Sequence, residues 1–204
     1  MKLDRKSWRL LWLGVGLLGL LWLINRPPTV PSTSTPARGD IEELVEALWS
    51  ADAVGVNRAL AAGMSADQAL DHQGTRPLHV LFFGPGCSLD QRPTGDGTLA
   101  VLELLLTGGA DVNLADARNN TPLMMAAAEC DARVVQRLLQ AGADMYATNR
   151  VGLTPFEMTL SNVSDAAEPL LAAGFRLSSE QVADYQAIYH DEPEILDLVV
   201  RAAP

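Results

Sequence analysis

DARNNTPLMMAAAECDARVVQRLLQAGADMYA, from Asp116 to Ala147, decides how the rest of the chain is read. A related stretch begins 33 residues on, with Asn149 in the place of Asp116 and Thr154-Pro155-Phe156 in the place of Thr121-Pro122-Leu123. Self-similarity at such a period marks stacked supersecondary units. Thr121 offers a hydroxyl to cap a first helix, and Pro122 sits where a helix needs no N–H. Leu123, Ala126 and Ala127 recur at helical spacing and face the neighbouring unit, where small alanines let helices stack closely. Val134, Val135, Leu138 and Leu139 form the apolar stripe of a second helix. Gly142 follows that helix and fits a left-handed C-terminal cap. From Ala143-Asp144 to Gly152 the chain reads as a turn-rich finger between units. Gly152 supplies a positive φ there, and Asn119 takes the same place one unit earlier.

The unit resembles an ankyrin repeat. Asp71-His72-Gln73-Gly74-Thr75-Arg76-Pro77-Leu78-His79 is similar to the family's D-x-x-G-x-T-P-L-H, with Arg76 at the threonine position, so that hydroxyl cap is missing. The resemblance implies that His79 organises the finger through hydrogen bonds. Leu78, Leu81 and Phe82 continue the core face. Gly109-Ala110-Asp111-Val112-Asn113 matches the family's G-A-D-x-N. The resemblance implies an all-α fold class: an ankyrin-repeat solenoid of helix-turn-helix units, about four to five repeats, over residues 40–204. Asp40 to Asp71 reads as a degenerate first unit, with an amphipathic helix over Ile41–Trp49 and a second over Ala53–Ala62. The unit from Asp71 precedes that from Asp116 by 45 residues, so an insertion of 12 falls in the Gly- and Pro-rich stretch Gly84–Gly97. The second helix resumes at Thr98, with Val101, Leu102, Leu105 and Leu106 on its apolar face. In the unit from Asn149, Ala166, Ala167, Leu170 and Leu171 mark the second helix, and Pro169 kinks it or shifts its start. Two tail helices form a C-terminal cap. One carries Val182, Tyr185 and Ile188, and the other turns Ile195, Leu198 and Val199 inward.

The first 39 residues differ in composition. Lys2, Arg5, Lys6 and Arg9 precede an apolar run, Leu10 to Ile24, with Trp8, Trp12 and Trp22 near its ends. Residues 1–25 are expected to be a signal-anchor with a single transmembrane helix, or a cleaved signal peptide. Asn25-Arg26-Pro27-Pro28 is a poor cleavage site. The basic flank places the N-terminus in the cytoplasm. Residues 26–39 are a Pro/Ser/Thr-rich linker. The expected location is the inner (cytoplasmic) membrane, single-pass, with the repeat domain in the periplasm, or a secreted or periplasmic protein after signal cleavage.

Residues 40–204 carry 24 Asp and Glu against nine Arg and no Lys. That balance disfavours nucleic acid and anionic membrane surfaces, and it steers in a basic partner surface or serves solubility. No paired nucleophile and base, local carboxylate pair or phosphate loop is present, so no enzyme activity, cofactor, metal or small-molecule ligand is expected. Cys87 in the insertion and Cys130 in the next inter-helix turn are candidates for a disulfide, or two separate thiols. The resemblance implies a protein-binding surface along the finger tips and inner helices. The candidates are His72, Gln73, Ala117, Arg118, Arg150 and Val151 at the tips. Val80, Met125 and Met158 stand on the first helices, where ordinary packing explains them equally well. The expected function is protein–protein interaction by a membrane-anchored protein on the extracytoplasmic side. The alternative is an inhibitor or immunity protein that neutralises one dedicated target or toxin.

Overall fold

The three central units each open with a helix whose first residue is a proline, Pro77, Pro122 or Pro155, because the first turn of a helix leaves N–H groups unbonded. The computed structural model describes residues 38–83, 96–129, 132–160 and 165–204. The described helices are α1 (Arg38–Trp49), α2 (Ala53–Ala61), α3 (Pro77–Phe83), α4 (Asp96–Thr107), α5 (Pro122–Glu129), α6 (Ala132–Gln140), α7 (Pro155–Leu160), α8 (Ala167–Ala172), α9 (Ser179–Ile188) and α10 (Pro193–Arg201). They pair as five helix-turn-helix units, and Gly39–Pro204 forms one compact unit. No strand occurs among the described residues.

The apolar run Leu10–Ile24, residues 26–37 of the linker, Cys87, Cys130 and insertion residues 84–95 lie outside the described residues. No helix among the described residues is long and apolar enough to cross a membrane.

The units stack in two layers. Helix α3 packs on α5 and α5 on α7; in the second layer α2 packs on α4 and α6 on α8. The inner layer is almost wholly apolar: Leu78, Leu81 and Phe82 of α3, Leu123 to Ala127 of α5, and Phe156 and Leu160 of α7 are buried. The outer helices bury one stripe each, as in Val134, Val135 and Leu138 of α6. Burial of each such side chain stabilises the stack by roughly 1.5–3 kcal/mol.

The turn chemistry follows the residue types. Gly142 has φ 90°, Gly152 φ 84° and Asn119 φ 61°, all left-handed. Helix α8 begins at Ala167, so Pro169 falls in the first turn, where its missing N–H costs nothing and no kink follows. Helix α1 begins at Arg38 with Asp40 in its first turn, which leaves Glu46 toward the C-terminal end. In the tail Ile195, Leu198 and Val199 of α10 are buried, whereas Ile188 of α9 is 52% exposed and α9 buries no residue fully. Its apolar positions lie on a terminal unit with no further repeat packed against it among the described residues.

Candidate docking surface

The fingers are built by one acidic or amide residue each. Asp71 accepts hydrogen bonds from the N–H groups of Gln73 (2.8 Å) and Thr75 (3.0 Å) through Oδ1. Asp116 accepts from Arg118 N (2.8 Å) and Asn120 N (2.8 Å), and its Oδ2 from Asn120 Nδ2 (3.1 Å). Asn149 repeats the pattern with Val151 N (3.1 Å) and Leu153 N (3.0 Å). Short side chains of this type bond to the backbone two and four residues on, and so fix a tight turn.

Neighbouring fingers are then tied edge to edge. Ala117 N–H donates to Gln73 O (2.8 Å), and Arg150 N–H donates to Arg118 O (2.9 Å). The Asn149 side chain reaches back to Asn120 Oδ1 (3.1 Å). His72, Gln73, Ala117, Arg118, Arg150 and Val151 therefore stand in one row along three tips, and all six are exposed. The remaining three candidates are placed differently. Val80 is 9% exposed, Met125 0% and Met158 3%. They are corrected to packing residues: the inner helices on which they stand are covered by their neighbours, and apolar periodicity alone does not tell an open face from a covered one.

Behind the tips, the position eight residues after the finger Asp or Asn links the helix start to the next unit at His79 and at Glu157. His79 Nδ1 accepts from Arg76 N–H (3.2 Å), which replaces the missing threonine cap, and Nε2–H donates to Asn120 O (3.0 Å). Both ring nitrogens are thus engaged with the imidazole neutral. Burial holds the His79 pKa below its ordinary value, against the raising effect of the Asn120 carbonyl and Asp116. In the unit from Asn149, the equivalent residue is Glu157. One of its oxygens accepts from Thr154 N–H (2.5 Å), and the other accepts from the Tyr185 hydroxyl of the next unit. Burial first, and then the hydrogen bond to Glu157, raise the Tyr185 pKa. Met124 occupies this position in the middle unit. There Thr121 Oγ1 accepts from the Met124 N–H (3.4 Å), as its cap role requires.

A second chain of contacts joins the loops that follow the outer helices. Asp67 accepts from Asp111 N–H (3.0 Å), and Asn113 Oδ1 from Asp144 N–H (2.8 Å). The Tyr146 hydroxyl accepts from Arg176 N–H (3.3 Å) and donates to Gly174 O (3.4 Å). The Tyr146 ring stacks on Phe175 at 5.1 Å, and Phe175 on Phe156 at 4.8 Å. Sequence reasoning missed this role of Tyr146. The available signal was its place at the asparagine of G-A-D-x-N, where a long phenol reaches the same neighbour that an amide does.

The outer face is closed by ion pairs. Arg137 binds Glu103, Arg201 binds Glu168 (2.7 Å), and Arg58 binds Glu43 (2.7 Å). The hydrogen bonds from Arg137 and Arg201 hold the Glu103 and Glu168 carboxyls below their ordinary pKa. A shallow depression of about 410 Å³ is lined by Glu168, Leu171, Ala172, Arg176 and Arg201. Its charged groups already hold partners: Arg201 with Glu168, and Arg176 with the carbonyls of Leu171 and Phe175.

Residues 94–181 match the family model for ankyrin repeats, in three copies. Part of the chain is similar to the protein fem-1 homolog A of Danio rerio, 40% identical over 86 residues, which is 42% of this chain and 14% of the relative. The fem-1 homolog A proteins of Bos taurus and Homo sapiens are each 36% identical over 86 residues, covering 42% of this chain and 13% of each relative. The chain therefore contains ankyrin repeats and spans about one seventh of the length of these relatives. These comparisons also correct the expected location. The relatives are animal proteins, whose cells have no periplasm, and no described helix can cross a membrane, so the assignment to an inner membrane with a periplasmic domain is withdrawn.

Proposed function

We propose that this chain is a protein-binding module whose partner docks along the finger tips. The observation that carries this reading is the row His72, Gln73, Ala117, Arg118, Arg150 and Val151, exposed on a backbone that hydrogen bonds hold from finger to finger. A surface whose backbone is fixed before binding loses little conformational freedom when a partner arrives. Ankyrin repeats in 94–181 support protein–protein interaction as the activity, since the fold builds extended surfaces rather than reaction centres. The outer helices are less suited, because Arg58, Arg137 and Arg201 on them are already engaged by Glu43, Glu103 and Glu168.

Site-specific photo-cross-linking tests the reading. A photoreactive amino acid is placed at Ala117 or Val151 on the tips, or at the exposed Gln136 on α6, in the full chain expressed in its source cells. One adduct of defined mass from the tip positions and none from Gln136 is the expected result. Adducts from Gln136 alone, or equal yields from both faces, would overturn it.

A further inference from the structure

We infer that Arg118 and Arg150 form a paired guanidinium dock for an acidic segment of the partner protein, an assignment that rests on the finger row being the docking surface. Elsewhere in the fold, arginines hold partners within the chain. Arg58 holds Glu43, Arg137 holds Glu103 and Arg201 holds Glu168. Arg76 donates to Asp67 O (2.9 Å) and Arg176 to Phe175 O (2.6 Å). Acids outnumber arginines 24 to nine in residues 40–204, so carboxylates abound. Among the described residues, neither the Arg118 nor the Arg150 guanidinium has an ion-pair or hydrogen-bond partner, and they stand on adjacent tips joined by the 2.9 Å bond from Arg150 N to Arg118 O.

The nearest acid by sequence, Asp116, forms no ion pair with either guanidinium. Both oxygens of Asp116 are turned into their own loop by three N–H donors, and the matching residue of the next finger is the neutral Asn149. Two like charges therefore rise from adjacent, hydrogen-bonded tips, an arrangement that gains from an added anion. Guanidinium groups favour planar, two-pronged carboxylates. Val151, 73% exposed, and the exposed Ala117 border the pair, so the segment that fits has a carboxylate pair next to a small apolar contact. At physiological salt the Debye length is about 8 Å, so the acidic body is largely screened and the tip cations act locally. A nucleic-acid strand is a poorer fit, because a strand long enough to contact several phosphates runs into the acidic remainder of the surface.

Selection of a displayed random peptide library on the immobilised full chain tests the assignment. Wild-type protein is expected to enrich peptides with two or more Asp or Glu residues. A representative peptide, measured by fluorescence anisotropy, should bind R118Q/R150Q at least about tenfold more weakly, R118E/R150E more weakly still, and all forms less at high salt. Circular dichroism and thermal melting of the variants confirm that they fold. Enriched peptides that are neutral or basic, an absence of enrichment over R118E/R150E, or equal competition by an oligothymidylate would each overturn the acidic-segment assignment. If non-acidic peptides bind and lose affinity on Val151→Arg, the finger row stands and only the charge class falls. If the enriched peptides ignore every tip substitution, the docking surface itself falls.

Discussion

Replacing Asp116 by alanine should loosen one finger by an amount that the structure bounds. The carboxylate accepts from the N–H of Arg118 and Asn120 at 2.8 Å each and from the Asn120 amide at 3.1 Å. Hydrogen bonds to a charged group contribute roughly 1.5–3 kcal/mol each, but an exposed donor recovers most of that from water. The Arg118 N–H is exposed, whereas the two contacts to Asn120 are half-buried. Halving the two half-buried contacts for their remaining access to water, and discounting the exposed one, gives a loss of about 1.5–3 kcal/mol. In urea, at about 2 kcal/mol per M, the midpoint should fall by ~0.8–1.5 M. Asp116→Asn is the internal control, because Asn149 makes the same two backbone contacts in the next finger. It keeps the two backbone contacts and loses only the one from the Asn120 amide, so it should shift the midpoint by no more than ~0.5 M, about 1 kcal/mol. Equilibrium unfolding of wild type and both variants, followed by circular dichroism, decides the matter. An alanine variant within experimental error of wild type, or an asparagine variant as weak as the alanine one, would refute the idea that this side chain fixes the finger.

Three further outcomes are expected. Burial keeps His79 from taking a proton as readily as it would in the unfolded chain, where its value is near 6.5. Stability should therefore fall as pH drops from about 6.5 toward the lowered folded value and level off beneath it; urea midpoints between pH 7.5 and 5 should show this step, and His79→Gln should remove it. Tyr146→Phe should cost about 1 kcal/mol by deleting the bonds to Gly174 O and Arg176 N while keeping the stack on Phe175, and Tyr146→Ala should cost clearly more in the same assay. Gly142→Ala should lower stability by about 1–2 kcal/mol through its φ of 90° alone, since an added Cβ meets no atom within 4 Å, and thermal melts should show Gly142→Asn to be milder.

Much of the repeat architecture is legible in the residues because each unit advertises its own ends. Pro122 and Pro155 open helices, and Gly142 and Gly152 sit at left-handed positions, as their types require. His79 is readable as a finger organiser through the resemblance, though its capping of Arg76 N–H is not, because that role arises only from the lost threonine. The split between exposed and buried candidates is not legible. Met125 and Met158 lie on helices covered by their neighbours, and local sequence carries no record of what packs from outside. Glu157 and Tyr185 meet across 28 residues of chain, a separation at which no local pattern pairs them. Pro169 is readable as a disturbance, and the structure resolves it as a late helix start.

The measurement that most directly tests the docking surface is the affinity of the cross-linked partner for three forms of the full chain: wild type, R118E/R150E, and Val200→Glu on the exposed outer side of α10. Loss of about tenfold or more in the finger-tip variant, with Val200→Glu unchanged, is the expected result. Retained affinity in the finger-tip variant, with loss in Val200→Glu, would place the partner on the outer helices and contradict the account.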